Sequence, residues 1–233
     1  MKNRWEGPMR RLFYLGVAAI LLLSLSGCGG GGGDSRTVFI ADILSVRGVD
    51  GDIAFDSTAP PGSEFTITHA DTVLAGIDPP TQIEFRGFLH FPLDTIPVNA
   101  DVLFASMTVL ITSVTPQNPA DPPIPFLIDS ISFQPPILIE SDFDRVVQPP
   151  LLTRPGEFFP SDQAFFVEIN VTSLTRNAIL NRLTDFQVRI VFDDDRFQSD
   201  LTTIIGLVKI DDGPGTVSRP RIDFAPLLHV EYF

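Results

Sequence analysis

After residue 36 the chain is patterned in twos. In Gln82–Phe91 the residues Ile83, Phe85, Leu89 and Phe91 share one side of an extended segment, and Glu84, Arg86 and His90 the other. Successive strand side chains point to opposite faces, so this spacing predicts a half-buried strand with its polar set toward solvent. The same period recurs in Ala164–Val171, Asp185–Phe192 and Pro226–Tyr232. Further strands are expected at Phe65–His69, Leu103–Thr112, Pro125–Phe133 and Thr203–Ile210. Turn signals separate them, among them Ala59-Pro60-Pro61-Gly62, Asp78-Pro79-Pro80 and Asp211-Asp212-Gly213-Pro214-Gly215. Residues 116–160 hold eleven prolines. Each lacks a ladder donor, so this stretch reads as long loops around one or two edge strands. Helical spacing appears once, in Ser173–Leu183, where Leu174, Ile179, Leu180 and Leu183 share a face and Thr172 or Ser173 offers a cap oxygen. Many strands, one short helix and no strand–helix alternation indicate an all-β, antiparallel β-sandwich.

The amino terminus obeys different rules. A basic start (Lys2, Arg4, Arg10, Arg11), an apolar run from Leu12 to Leu25 and small residues before Cys28 form the three parts of an export signal. At about 14 residues and 1.5 Å per residue the run covers roughly 21 Å, short of a bilayer core of about 30 Å. Leu25-Ser26-Gly27-Cys28 resembles the bacterial lipobox, which implies that Cys28 is lipidated and becomes the new amino terminus. A lone cysteine forms no internal disulfide, and Gly29–Gly33 after it cannot pack a core but make a flexible leash. Gly29 follows the cysteine where an aspartate would retain such lipoproteins at the inner membrane, so the resemblance implies the outer membrane. The expected organisation is a signal peptide (1–27), a lipidated cysteine and tether (28–36) and one β-sandwich domain (37–233).

Charge narrows the partners. Removing residues 1–27 leaves 12 basic and 28 acidic residues, a formal charge of −16. That field repels nucleic acid and anionic headgroups, so no nucleic-acid partner is expected. The same removal takes away the sole Trp5, leaving one tyrosine (Tyr232) and nineteen phenylalanines.

Arg86-Gly87-Phe88-Leu89-His90-Phe91-Pro92-Leu93-Asp94-Thr95-Ile96-Pro97, followed by Ala100-Asp101-Val102 and Ala105-Ser106-Met107-Thr108-Val109, resembles the opening segment of DNRLRE-type, disaggregatase-related domains. Val167-Glu168-Ile169-Asn170-Val171-Thr172-Ser173-Leu174 is similar to that family's strand running into a short helix. Arg219-Pro220-Arg221 through Leu228-His229-Val230-Glu231-Tyr232 is similar to its closing strand. The resemblance spans residues 82–233 and departs from the family at Pro92 and Asn170, which replace aspartates. It implies a jelly-roll sandwich and carbohydrate-binding company, with extracellular polysaccharide or an envelope protein as the partner.

No catalytic constellation stands out. His69, His90 and His229 are far apart and lack metal-ligand spacing, and His90 and His229 fall on the polar sides of their strands. Neither a nucleophile elbow nor a phosphate-cradling loop is present, so a non-enzymatic role is expected. Acidic turns leave two readings open: solvated loop tips, or calcium held jointly by Asp193, Asp195 and Asp211. For sugar recognition, which favours flat rings, Phe88, Phe166 and Phe197 lie off the main apolar face. They either line a ligand groove or pack beneath the long loops.

Overall fold

The computed structural model of this chain describes residues 36–116, 123–133, 137–193, 206–213 and 224–233. The expected signal peptide, Cys28 and its glycine run, Asp195, Phe197 and Arg219–Arg221 lie outside them. Within the unit Val38–Phe233 the strands are β1 (Phe39–Leu44), β2 (Gly51–Phe55), β3 (Phe65–Thr68), β4 (Thr72–Ile77), β5 (Glu84–Pro92) and β6 (Val102–Pro116). They continue with β7 (Ile124–Ile131), β8 (Leu152–Phe158), β9 (Phe166–Asn170), β10 (Asp185–Phe192), β11 (Gly206–Asp211) and β12 (Leu227–Tyr232), and one helix, α1 (Thr172–Leu180), follows β9.

All pairings are antiparallel along the path β1-β12-β6-β11-β4-β5-β10-β7-β8, with β2 also on β5, β3 on β2 and β9 on β6. Two strands are shared along their length. β6 takes β12 at Val102–Thr108 and β11 at Leu110–Pro116, while β5 takes β10 at Gly87–Pro92 and β4 at Glu84–Phe85. Register shifts at Lys209/Ile210 and Glu231/Tyr232, opposite Thr112 and Leu103 of β6, add local twist. Gly76, at φ +114°, supplies a backbone conformation that a side chain rarely adopts where β4 meets Gly206.

The main core fills the space between the layers: Leu89 and Phe91 from β5, Phe186, Val188 and Ile190 from β10, and Phe126 and Ile128 from β7 meet Met107 and Val109 from β6 and Leu228 and Val230 from β12. A second apolar cluster lies on the other side of β5, β7 and β10. It joins Ile53, Phe88 and Ile131 to Phe133, Leu138 and Phe143, with Phe55, Phe65 and Ile67 packed against it. The all-β, sandwich-like architecture with one helix is as the alternation predicts, but the polar side of β5 does not face solvent. His90 is buried at 5% exposure and Arg189 on β10 is fully buried, because residues 137–148 and β3 cover that face. The proline-rich region also differs from expectation. β8 is an edge, but β7 is interior, between β10 and β8.

Helix α1 buries Leu174, Ala178 and Ile179, whereas Leu180 is 74% exposed and belongs to the solvent side. Its start is held otherwise than the sequence suggests. The Thr172 hydroxyl exchanges hydrogen bonds with the Ala105 backbone, and the Asn170 side chain accepts from the Thr172 N–H at 3.1 Å. The Asn170 amide oxygen thus supplies the acceptor that the turn needs.

Candidate functional site

Strand register builds a charged layer on the covered face. Arg189 lies opposite Phe88 on one side and Asp129 on the other. Both charged residues are fully buried, and the guanidinium reaches the Asp129 carboxylate at 2.9 Å. Arg145 makes a second, two-pronged contact with Asp129 at 2.9 and 3.0 Å, and the Thr153 hydroxyl donates to the same carboxylate at 2.6 Å. Two cations on one carboxylate leave excess positive charge, which backbone oxygens absorb. Arg189 donates to the carbonyls of Asp142 (2.7 Å) and Gln148 (3.0 Å), and Arg86 donates to that of Phe143 while lying 4.0 Å from its ring centroid. The Gln187 amide grips the Phe133 backbone at both ends, 2.8 and 3.1 Å, and contacts His90 Nδ1 at 3.1 Å. These groups therefore tie the cover to the sheet. A cleft of about 480 Å³ remains beside it, lined by Ser132, Phe133, Ile137, Ile139, Ser141, Asp142 and Gln148. Burial raises the Asp142 carboxyl above its ordinary range and lowers His90.

A second polar group joins three loops. Asp50 and Asp212 are fully buried, and their carboxyls interact. Asp50 Oδ1 accepts from the His90 N–H at 2.7 Å, the Asp50 carbonyl accepts from His69 Nδ1 at 2.8 Å, and the Ser45 hydroxyl donates to Asp212 at 3.4 Å. Burial first and the Asp212 charge second push Asp50 to about 8. Asp52, raised mainly by burial, is at about 6. Asp50 therefore holds a proton at neutral pH. Of the calcium grouping expected from the acidic turns, Asp195 lies outside the described residues. Asp193 sits at the Pro125 end of β10, whereas Asp211 lies at the far end of β11, roughly 16 Å of strand beyond Gly206, which packs on Ile124. Among the described residues, no three His, Cys, Asp or Glu side chains converge.

The two described phenylalanine candidates part company. Phe88 is fully buried in the second cluster, edge-on to Phe133 at 6.3 Å, and serves packing rather than recognition. Phe166 is 44% exposed on β9, and Phe159 and Phe165 are exposed beside it, on the connection from β8. Here two strand edges face each other, for β8 pairs with β7 and β9 with β6. Between them runs a slot of about 190 Å³ bounded by Phe126, Ile128 and Phe158 on one wall and Val167 and Ile169 on the other. Arg154 bridges the slot by donating to the Asn170 carbonyl and, at 3.1 Å, to its side-chain oxygen. Periodicity gave Phe166; nothing local gave the slot, which arises from edges some ten residues apart folding onto different layers. Comparison with protein-family models and with curated proteins finds no match to this chain.

Proposed function

We propose that this protein is a non-enzymatic, lipid-anchored β-sandwich of the bacterial cell envelope, of DNRLRE type, which engages a partner at its open side. What supports the interaction role is the pair of facing edges, β8 and β9, with Phe159, Phe165 and Phe166 exposed around the slot. Unpaired strand edges accept an added strand, and grouped aromatic rings supply affinity. The anchor rests on the Leu25–Cys28 sequence and the glycine run after it. Carbohydrate binding is the second reading, favoured by the same exposed rings, with the partner an extracellular polysaccharide instead of an envelope protein. One comparison of the parent with Cys28→Ala and Phe166→Ala in the producing cell tests both. The parent is expected to incorporate fatty-acid label and sediment with the outer membrane, and Cys28→Ala to lose both. Equal labelling of the two would end the anchor reading. Retention of the parent on a polysaccharide panel, abolished by Phe166→Ala, would put carbohydrate binding first.

A further inference from the structure

One end of the sandwich exposes apolar side chains from several elements. β5 and β12 finish there, while β6 and β1 begin. Pro92 lies opposite Asp185, Tyr232 lies opposite both Phe39 and Val102, and the backbones of Asp101 and Phe233 exchange hydrogen bonds of 3.1 and 3.3 Å. Helix α1 reaches the same end, since Arg176 donates to the Val102 carbonyl at 2.6 Å and the Leu93 N–H bonds Thr184 beyond the helix. Val98 is 71% and Leu180 74% exposed here, and Phe39 and Ile40 are more than half exposed. Leu93, Ile96, Val98, Ile179 and Leu183 line an apolar recess of about 180 Å³ between them. Arg176 and Arg182 offset only part of the charge of Asp94, Asp101, Asp185 and Glu231 at this end, the last lying opposite Ile40. Grouped exposed apolar side chains mark a surface that another apolar phase can cover.

The sequence says what covers it. Nine residues lie between Cys28 and Val38. They reach at most about 36 Å fully extended and roughly 16–19 Å as a glycine-rich coil. A bilayer holding a lipid on Cys28 is therefore within reach of this end first. The phenylalanines around the slot are at the other: Phe165 bonds Ile111, nine residues along β6 from Val102, or about 30 Å away. The geometry points to a membrane-resting base, in which Val98, Leu180, Phe39 and Ile40 contact the lipid surface to which the chain is tied. This inference rests on the lipidation of Cys28. A lipid tether and an apolar contact together give firmer attachment than either does alone, and they hold the β8–β9 slot outward.

The test uses the full-length protein in vesicles of phosphatidylcholine and phosphatidylglycerol. With Cys28 blocked by its lipid, Val98→Cys, Leu180→Cys and Val146→Cys each present one thiol for an environment-sensitive fluorophore. Val146 is 87% exposed, on the cover over the outer sheet face. Phospholipids carrying nitroxide on their acyl chains are expected to quench the label at 98 and 180 several-fold more than at 146. Equal quenching at all three positions overturns the membrane-resting base while leaving the tether intact. Labelling of the parent protein itself shows a free Cys28, and then the tether reading and this one fall together.

Discussion

Asp50 and Asp212 set a pH response that follows from burial. In the unfolded chain Asp50 titrates near 3.8, and in the fold near 8. The folded state thus binds a proton that the unfolded chain releases, and linkage makes stability fall as pH rises from about 4 to about 8. Asp52 acts in the same direction up to about 6, and so does His229, whose pKa is raised chiefly by its 2.7 Å hydrogen bond to Asp42. His90 opposes them on the acid side, because burial disfavours its charged form. Against the pair sit the Ser45 hydroxyl, the His90 N–H and the His69 ring, and the Asp212 N–H bonds the carbonyl of Asp71, whose carboxylate pairs with Arg47. Asp212→Asn keeps a hydrogen-bonding side chain but removes the repelling charge. Unfolding midpoints measured from pH 5 to 9 should fall for the parent and fall less steeply for Asp212→Asn, at about 1.4 kcal/mol for each unit that Asp212 adds. The slope should not vanish, since burial is the larger cause. Superimposable profiles would mean that the two carboxyls do not interact.

Helix α1 shows at the scale of an element what local sequence can and cannot announce. The Leu183 N–H bonds the Ala178 carbonyl at 3.0 Å and the Arg182 N–H bonds that of Ile179 at 2.9 Å, a Schellman ending. The left-handed position in it belongs to Arg182, at φ +56°, where glycine has no steric cost. Arg182→Gly should therefore raise stability by about 1 kcal/mol, read as a higher denaturant midpoint at unchanged slope. A lowered midpoint would show that the arginine side chain contributes more than its backbone costs. The alternation of β9 and β12 was legible because each has one apolar side and one wet side. Alternation in β5 and β10 marked two different faces correctly, yet could not say that the polar one is roofed over. The roof depends on Gln187 meeting Phe133 and Arg189 meeting Asp142, partners 54 and 47 residues away. Prolines concealed the interior place of β7, though not the strand itself, because Pro125 and Pro123 sit only at its beginning. Phe88 and Phe166 looked alike for the same reason: both lie off the main apolar side, but only Phe88 has a layer above it.

For the molecule as a whole, the balance between buried and exposed charge predicts how salt acts. A formal charge of −13 is self-repelling, and most of the described acids lie outside the strands. The ion pairs divide in the opposite sense. Arg189 and Asp129 are shielded from solvent at zero exposure, whereas the Arg47–Asp71 pair is 38% and 74% exposed and contributes at most about 1 kcal/mol. Added salt screens exposed charges within a Debye length of about 8 Å at 0.15 M, against about 30 Å at 0.01 M, and barely touches buried ones. Repulsion is therefore weakened more than attraction. The unfolding midpoint at pH 7 should rise between 10 and 150 mM sodium chloride by the equivalent of about 1 kcal/mol, or roughly 2–4 °C for a domain this size. Most of the rise should be complete by 150 mM, and the alkaline decline set by Asp50 should persist there, because that carboxyl is out of the reach of the ions. A midpoint that falls with salt would show that exposed pairs such as Arg47–Asp71 outweigh the net charge. A decline that disappears with salt would place the Asp50–Asp212 pair in contact with solvent.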